Sequence, residues 1–142
     1  MAETSQENER KAQKLYVQLQ MMQENAKNLY KQLQLVEGQF IELMTTSQSL
    51  DDFKKAKLNS EILVPLNSGI FAKAELKDNS SLIVNIGANV GVKKSVDSTK
   101  KLIERQMEEI KKIQKQMVND LEKMTNHAAQ LEMKLQGMAS EG

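Results

Sequence analysis

Cysteine and tryptophan are absent from this sequence of 142 residues, and proline and histidine occur once each. Without cysteine, disulfide cross-links and thiolate metal sites are excluded. Aromatic residues make up only 4% of the chain, which suits long helices with a narrow apolar seam better than a compact globular core. No apolar run is long enough to span a membrane, and the first residues lack the apolar segment of a signal peptide. We therefore expect a soluble protein of the cytoplasm.

An excess of one charge is also missing. The chain has 20 basic and 19 acidic residues, with neither sign gathered into a block, whereas a nucleic-acid-binding protein normally shows a basic stripe. The single histidine, His127, lies beside an apolar seam position and is better explained as a solvated helix residue than as a catalyst or ligand. The glycines of residues 87–91 have the wrong spacing for a phosphate-binding loop and precede no helix. We predict that the protein is not an enzyme, has no catalytic residue, cofactor or metal site, and binds neither nucleic acid nor membranes.

Two long segments, one on each side of the middle of the chain, repeat apolar residues in alternating steps of three and four. This spacing gives each helix one narrow apolar stripe, and its average of about 3.5 residues predicts a left-handed coiled coil. Ser47 and Gln114 are the polar exceptions. The predicted seams are Leu15, Leu19, Met22, Ala26, Leu29, Leu33, Val36, Phe40, Leu43, Ser47 and Leu50 in the first segment, and Ile103, Met107, Ile110, Gln114, Met117, Leu121, Met124, Ala128, Leu131, Leu135 and Met138 in the second.

The middle of the chain, residues 62–94, has no helical period. It is rich in Val, Ile and Leu and is interrupted by turn residues, which predicts four short strands in two successive hairpins. Ser95, followed by Asp97, is a typical start for a second helix. We therefore predict an α+β protein, in which a long antiparallel coiled-coil helical hairpin carries two β-hairpins at its closed end. Its predicted parts are an N-terminal coiled-coil arm (1–58), a β-hairpin oligomerisation segment (59–94) and a C-terminal coiled-coil arm (95–142).

The β segment is predicted to need partner subunits. Isolated hairpins are marginal in water, and their outer strands leave unpaired backbone edges. We therefore expect an obligate oligomer in which the hairpins of several subunits join. The residues expected at this assembly surface are Ile62, Val64, Ile70, Phe71, Leu82, Val84, Ile86, Val90 and Val92.

The open end of the coiled coil is predicted to expose apolar surface, because no further helical turn covers the last seam layers. Off-seam Tyr16, Val17, Met21 and Met133 add to this surface, and flexible methionine-containing surfaces are typical of promiscuous binding sites. The alternative is that these residues are frayed seam positions and ordinary exposed apolar side chains.

The middle segment also carries a motif. The stretches ILVPLNSGIFAKAEL and LIVNIGANVGVKKS, the second running into a capped helix, resemble α-class subunits of prefoldin, and the order helix, two hairpins, helix matches that family over essentially the whole chain. Asn67 and Asn89 stand at turn positions where glycine is common, and asparagine best replaces glycine at positive φ, so we expect both turns to form. The residues that match the motif are Val64, Pro65, Leu66, Gly69, Phe71, Val84, Ile86, Gly87, Val90, Val92 and Lys94.

The resemblance implies a hexamer of two α-class and four β-class prefoldin subunits (α2β4). It also implies an ATP-independent holdase that captures unfolded client proteins at the coiled-coil tips and delivers them to a group II chaperonin. The alternative is a structural scaffold subunit of a prefoldin-like complex without holdase activity. From the heptad register, the client-binding residues at the tip are expected to be Leu15, Tyr16, Leu19, Met22, Leu131, Leu135 and Met138.

Overall fold

The computed structural model describes residues 2–141, with side-chain surroundings for residues 4–139. Along the chain, one long helix precedes four strands and a second long helix follows them, which confirms the predicted α+β class. The predicted arms extend to Met1 and Gly142, and these two residues lie outside the described part. The elements in chain order are α1 (Ala2–Lys55), β1 (Glu61–Asn67), β2 (Ile70–Glu75), β3 (Ser81–Asn85), β4 (Gly91–Ser95) and α2 (Val96–Glu141).

The two helices follow the predicted heptad pattern. Every position of both predicted seams is buried or half-buried, including the polar Ser47 and Gln114. Gly38 lies off the seam in an exposed position and α1 continues through it without interruption. Glycine costs a helix interior about 1 kcal/mol relative to alanine. Burial of the surrounding seam residues therefore outweighs this local cost.

The chain divides into two compact units that cut across both helices. The arm unit comprises Met1–Gly38 and Lys111–Gly142, and the hairpin unit comprises Gln39–Ile110. Among the residues of the arm unit whose surroundings the structure describes, the buried apolar ones are Leu19, Leu33 and Leu131. The hairpin unit buries Leu50, Leu76 and Val96 together with the polar Thr99, whose hydroxyl donates to the carbonyl oxygen of Ser95 at 2.8 Å.

Two ion pairs define how α1 and α2 meet within the hairpin unit. The Lys54 ammonium donates to the Asp97 carboxylate at 2.6 Å, and the Lys100 ammonium donates to the carboxylate of Asp51. Asp51 lies three residues before Lys54 on α1, and its partner Lys100 lies three residues after Asp97 on α2. The two helices therefore run antiparallel here. The hydrogen bond from Lys54 lowers the pKa of Asp97, and the hydrogen bond to Asp51 raises the pKa of Lys100. Because these side chains are partly solvated, the pairs contribute more to register than to stability.

The four strands form two separate two-stranded antiparallel sheets, β1–β2 and β3–β4. In the first hairpin, Glu61 pairs with Glu75 and Val64 with Ala72, and the register shifts between Pro65 and Asn67. In the second, the register is regular from the Ser81–Ser95 pair to the Asn85–Gly91 pair. Each strand consequently has one edge that its own sheet does not pair.

The tight turns depend on residues with positive φ. In the second hairpin, Ala88 and Asn89 have φ values of 49° and 60°, and the Val90 amide donates to the Gly87 carbonyl oxygen at 3.0 Å. Two central residues with positive φ define the type I′ turn that matches the strand twist. The prediction that Asn89 adopts positive φ is confirmed. At the first turn the positive φ belongs to Gly69 (78°) rather than to Asn67, whose side-chain oxygen instead accepts from the Ser68 amide at 2.7 Å.

The link between the two hairpins, residues 76–80, also holds the ends of the two helices. The Asn79 side-chain amide donates to the carbonyl oxygens of Lys54 and Ala56, at 3.3 and 3.0 Å. It thereby satisfies acceptors that the end of α1 leaves unpaired. At the start of α2, the Ser98 amide donates to the Ser95 hydroxyl oxygen at 3.0 Å, which confirms Ser95 as the helix cap.

Asp78 organises the same link. Its carboxylate accepts hydrogen bonds from the Ser80 amide at 2.8 Å and from the hydroxyls of Ser80 and Ser81. These bonds favour the charged form of the carboxyl and hold its pKa well below the usual range. The Ser80 carbonyl oxygen in turn accepts from the Val96 amide at 2.9 Å, so Asp78 supports the start of α2 indirectly.

Replacing Ala88 by glycine is expected to stabilise the protein. A non-glycine residue in the left-handed region costs about 1–2 kcal/mol. Glycine removes this cost, but it also raises the conformational entropy of the unfolded chain, which offsets part of the gain. We expect the free energy of unfolding of Ala88→Gly, measured with urea, to rise by about 0.5–1 kcal/mol. Ala129→Gly, at an exposed position of α2, is the control and should lower it by about 1 kcal/mol. A loss of stability in both variants would contradict the turn geometry.

Acidification should weaken the contribution of Asp78. Because its pKa is lowered in the folded protein, its stabilising effect is present above the unfolded-state pKa of about 4 and is lost as the pH falls below that value. We expect the difference in unfolding free energy between the parent and Asp78→Ala to shrink as the pH falls from neutral to about 3. The control is Glu37→Ala, which removes an exposed carboxylate of α1. If the difference in unfolding free energy between the parent and Asp78→Ala does not change with pH, the hydrogen-bonded carboxylate of Asp78 does not stabilise the folded protein.

Candidate apolar interaction surfaces

Within the described residues, no cluster of three or more histidine, aspartate or glutamate side chains is placed to hold a metal ion. His127 is exposed on α2. Neither helix, over the stretch that the structure describes, has a segment apolar enough to cross a bilayer. The candidate sites are therefore the exposed apolar surfaces of the two units.

The predicted client-binding residues fall into two groups. Tyr16 is exposed, whereas the other six belong to the seam of the arm unit. Leu19 and Leu131 are buried there, and Leu15, Met22, Leu135 and Met138 are half-buried. The six seam side chains therefore pack within the helix pair in addition to any role in binding.

Other apolar residues of the arm unit lie outside the seam and are exposed. On α1 these include Val17 and Met21, and on α2 Met133 is the most exposed. Met21 lines a shallow depression with Gln20, Gln23, Glu24 and Lys27, and Val17 lines a second with Arg10, Gln13, Lys14 and Gln18. Both depressions are formed by α1 alone. They present methionine and valine between the stems of long polar side chains.

Tyr16 is held along the surface of α1. The Gln20 side-chain amide donates to the Tyr16 hydroxyl oxygen at 3.2 Å, one helical turn away. This bond satisfies the polar end of the side chain, and the residue is 54% exposed to solvent. Such a residue offers large apolar contact area at a small entropic cost.

In the hairpin unit, the predicted assembly residues line faces that are apolar and partly open. Ile62, Leu82, Val84 and Val92 are half-buried, and Val64, Ile70, Phe71, Ile86 and Val90 are exposed. The register places Val84 opposite Val92, and Ile86 bonds across to Val90 through its amide at 3.0 Å. Since side chains alternate between faces along a strand, Val84, Val92, Ile86 and Val90 lie on the same face of the second hairpin as Leu82.

Sequence reasoning missed three exposed apolar residues in the strands: Leu63, Leu66 and Ile83. Ile83 is on the opposite face of β3 from Val84, above Gly91, where an added Cβ would lie 2.7 Å from the Ile83 Cγ2 atom. Gly91 therefore makes room for an isoleucine on the second face. The uninterrupted apolar run from Leu82 to Val84 could have signalled a strand with apolar side chains on both faces.

Comparison with known proteins identifies this arrangement. A family model described as prefoldin subunit matches residues 22–141. The chain belongs to the prefoldin family. Prefoldin subunit alpha of Pyrococcus horikoshii is 30% identical over 135 residues, covering 92% of this chain and 90% of that protein. Prefoldin subunit alpha of Methanobrevibacter smithii is 26% identical over 134 residues, covering 94% and 91%. These relatives place the chain in the alpha class, as a chaperone-type subunit.

A solved structure supports the prefoldin fold. The filamentous PFD of Methanocaldococcus jannaschii, determined by cryo-EM, aligns with a TM-score of 0.59 at 15% sequence identity, covering 87% of this chain and 97% of that one. Within the motif of the α-class, Gly69 and Gly87 are the glycines with positive φ. The motif is thus tied to turn geometry, and the resemblance first seen in the hairpins extends through both helices.

The seam residues are expected to stabilise this prefoldin subunit, whereas exposed residues beside them are not. Leu131 is 3% exposed and Met133 is 72% exposed. Leu131→Ala should lower the free energy of unfolding by about 2–3 kcal/mol because it removes packed methyl groups. Met133→Ala is the matched control and should change it by less than about 0.5 kcal/mol. Equal losses in urea unfolding experiments would show that the assignment of seam and surface is wrong.

Proposed function

We propose that the chain is the α-class subunit of an ATP-independent holdase. In this proposal the hairpin unit joins partner subunits, the arm unit captures unfolded client proteins, and the complex delivers them to a group II chaperonin. We propose that the subunit acts in the cytoplasm. Membership of the prefoldin family supports the proposal, and the surfaces of the two units give it a physical basis.

The observation that carries the proposal is the surplus of apolar side chains in the arm unit. The seam buries or half-buries the residues that hold the helices together, whereas Tyr16, Val17, Met21 and Met133 lie outside it and are more than half exposed. Exposing large apolar side chains gives no stability in water. Flexible methionine and an amphipathic tyrosine suit contacts with many different apolar segments.

The proposed assembly of two α-class with four β-class subunits comes from the family resemblance, and the open edges and faces of the hairpins support assembly with partner subunits. Each two-stranded sheet leaves one edge of every strand unpaired, and the faces that carry Ile86, Val90 and Phe71 are open. A sheet of two strands is marginal unless further strands or a packed face complete it. Pairing with the hairpins of neighbouring subunits would satisfy both the edges and the faces.

Capture would depend on many weak contacts. Several arms that each hold one apolar segment of an unfolded chain raise the effective concentration of the others, so the combined affinity exceeds that of any single contact. Transfer to the chaperonin would need only competition for these contacts, one after another. A nucleotide is not required by this mechanism.

The alternative function is a structural scaffold within a prefoldin-like complex. It is favoured by the position of six of the seven predicted client-binding residues in the seam, where their packing alone accounts for them. In that case the arms would act as spacers, and the exposed apolar residues of the arm unit would have no role in client protection.

Replacing the surplus apolar residues distinguishes the two functions. The combined variant Tyr16→Ser, Val17→Ser, Met21→Ser and Met133→Ser should lose most suppression of client aggregation, measured by light scattering of a thermally unfolded model protein. Its helical content and assembly, measured by circular dichroism and native mass spectrometry, should be unchanged, because these side chains lie outside the seam.

The matched control replaces Gln13, Gln18, Gln23 and Gln130 by serine, which alters four exposed polar positions of the same unit. This control should protect clients as the parent does. If the apolar variant also protects fully, these exposed residues are not the client-binding site and the proposed capture by them is wrong. If the parent complex itself gives no protection, the scaffold function is correct.

A further inference from the structure

The chain has nine methionines and no cysteine, so all of its sulfur is in thioethers. Among the residues whose surroundings the structure describes, five methionines lie in the coiled-coil seam and three are exposed. The exposed ones are Met21 (61%), Met44 (50%) and Met133 (72%). The half-buried methionines of the seam are Met22, Met107, Met117, Met124 and Met138.

The two exposed methionines of the arm unit are open to small solutes. The residues four positions before and after Met133, Ala129 and Gly137, are small, and residues at this spacing are neighbours on a helix surface. Met21 lines the shallow depression on α1, whereas the next residue, Met22, is half-buried in the seam. A small molecule in solvent can therefore reach Met21 and Met133 more easily than the seam methionines.

A thioether that solvent can reach is open to oxidation by peroxides. The sulfur lone pair attacks one oxygen of hydrogen peroxide, the O–O bond breaks and an S–O bond forms. The proton of the transferred hydroxyl leaves with the second oxygen, which becomes water. The sulfur is oxidised by two electrons, and methionine becomes methionine sulfoxide. Methionine sulfoxide reductases reverse this change.

Oxidation has different consequences on the surface and in the seam. The sulfoxide is polar, so an apolar segment that packs against it pays for the lost hydration of the sulfoxide oxygen. At Met21 and Met133 the change removes apolar contact area from the arm unit and leaves every seam side chain in place. In the seam the same change would put a polar group between the helices, but half-burial restricts access of the oxidant.

Building on the holdase function proposed above, we propose that Met21 and Met133 are the peroxide-sensitive sites of the arm unit. Their oxidation to the sulfoxide lowers the capture of clients and leaves the coiled coil intact, and their reduction restores capture. The oxidant is a small peroxide such as hydrogen peroxide. Client binding is thus under a reversible redox control that uses no cysteine of this chain.

Peptide mapping of the assembled complex tests the order of oxidation. Cleavage after lysine places one exposed and one seam methionine on the same peptide twice, in residues 15–27 and in residues 124–134. The complex is treated with hydrogen peroxide, catalase ends the reaction, and fragment-ion masses locate the added oxygen. Met21 and Met133 should react at least about fivefold faster than the seam methionines of the same peptides, because access to their sulfur is less restricted.

Suppression of aggregation is measured on the same samples after the peroxide has been removed, so that the client is never oxidised. Suppression by the parent complex should fall below about half of its value before treatment, because every arm of this chain loses contacts that act together. Circular dichroism should show unchanged helical content. Methionine sulfoxide reductases for both epimers, with dithiothreitol, should restore suppression, and dithiothreitol without the enzymes is the control.

Two variants separate the proposed sites from other methionines. Met21→Leu with Met133→Leu replaces both thioethers by apolar side chains that peroxide does not oxidise. Met44→Leu, the control, removes the exposed methionine of the hairpin unit. The suppression of each complex after treatment is divided by its own suppression before treatment. This ratio should stay at about 1 for the double variant and fall as in the parent for Met44→Leu.

Equal oxidation rates for the two methionines of either peptide would overturn the assignment of the sites. The redox control would be overturned if the double variant loses suppression as the parent does, or if a parent with fully oxidised Met21 and Met133 still protects clients. If the untreated parent suppresses no aggregation, the holdase function fails and the control of capture fails with it. The order of oxidation would still decide whether these two residues are the sensitive sites.

Discussion

Burial of one apolar seam along α1 and α2 is the interaction on which the rest of the structure depends. The three-four spacing keeps that seam narrow, so every seam position is at least half-buried while most other helix positions remain in solvent. A narrow seam has two consequences. Burial in the seam accounts for the apolar residues at seam positions but not for the exposed apolar residues Tyr16, Met21 and Met133. It also leaves the β-hairpins outside the main apolar interface, with open edges that favour further strands.

The two units divide the proposed functions between them. The hairpin unit fixes helix register through Asp51 with Lys100 and Lys54 with Asp97, and it offers strand edges and apolar faces for assembly. The arm unit combines a buried seam with exposed apolar side chains suited to transient contacts. The seam maintains the surface on which clients would bind, because side chains such as Leu19 lie in the same helical turns as Tyr16.

Most of the fold could be predicted from the sequence because its signals are local. Heptad spacing marks both helices, alternating apolar residues mark the strands, and Ser95 has the chemistry of a cap. The positive φ of Ala88 carried no such signal, since alanine disfavours that conformation, and it follows from the turn that β3 and β4 require. Asn79 was also missed, because its bonds to the end of α1 exist only after the chain has folded back. At the candidate site, the heptad register separates off-seam Tyr16 from seam residue Leu131, but it does not tell how far the last seam layers are covered. Both residues were therefore expected to bind clients, although Leu131 is buried and Tyr16 is exposed.

The link that joins the hairpins has a kinetic consequence. Asn79 holds the end of α1, and the Ser80 carbonyl oxygen holds the start of α2, so the two helix ends are brought together by residues that are near in sequence. Contacts inside the arm unit must otherwise close the loop of 72 residues from Gln39 to Ile110, at an entropic cost that grows with loop length. Once the hairpin unit has formed, each further seam layer closes only a short loop. Helix pairing should therefore start beside the hairpins and advance, layer by layer, towards the two chain ends.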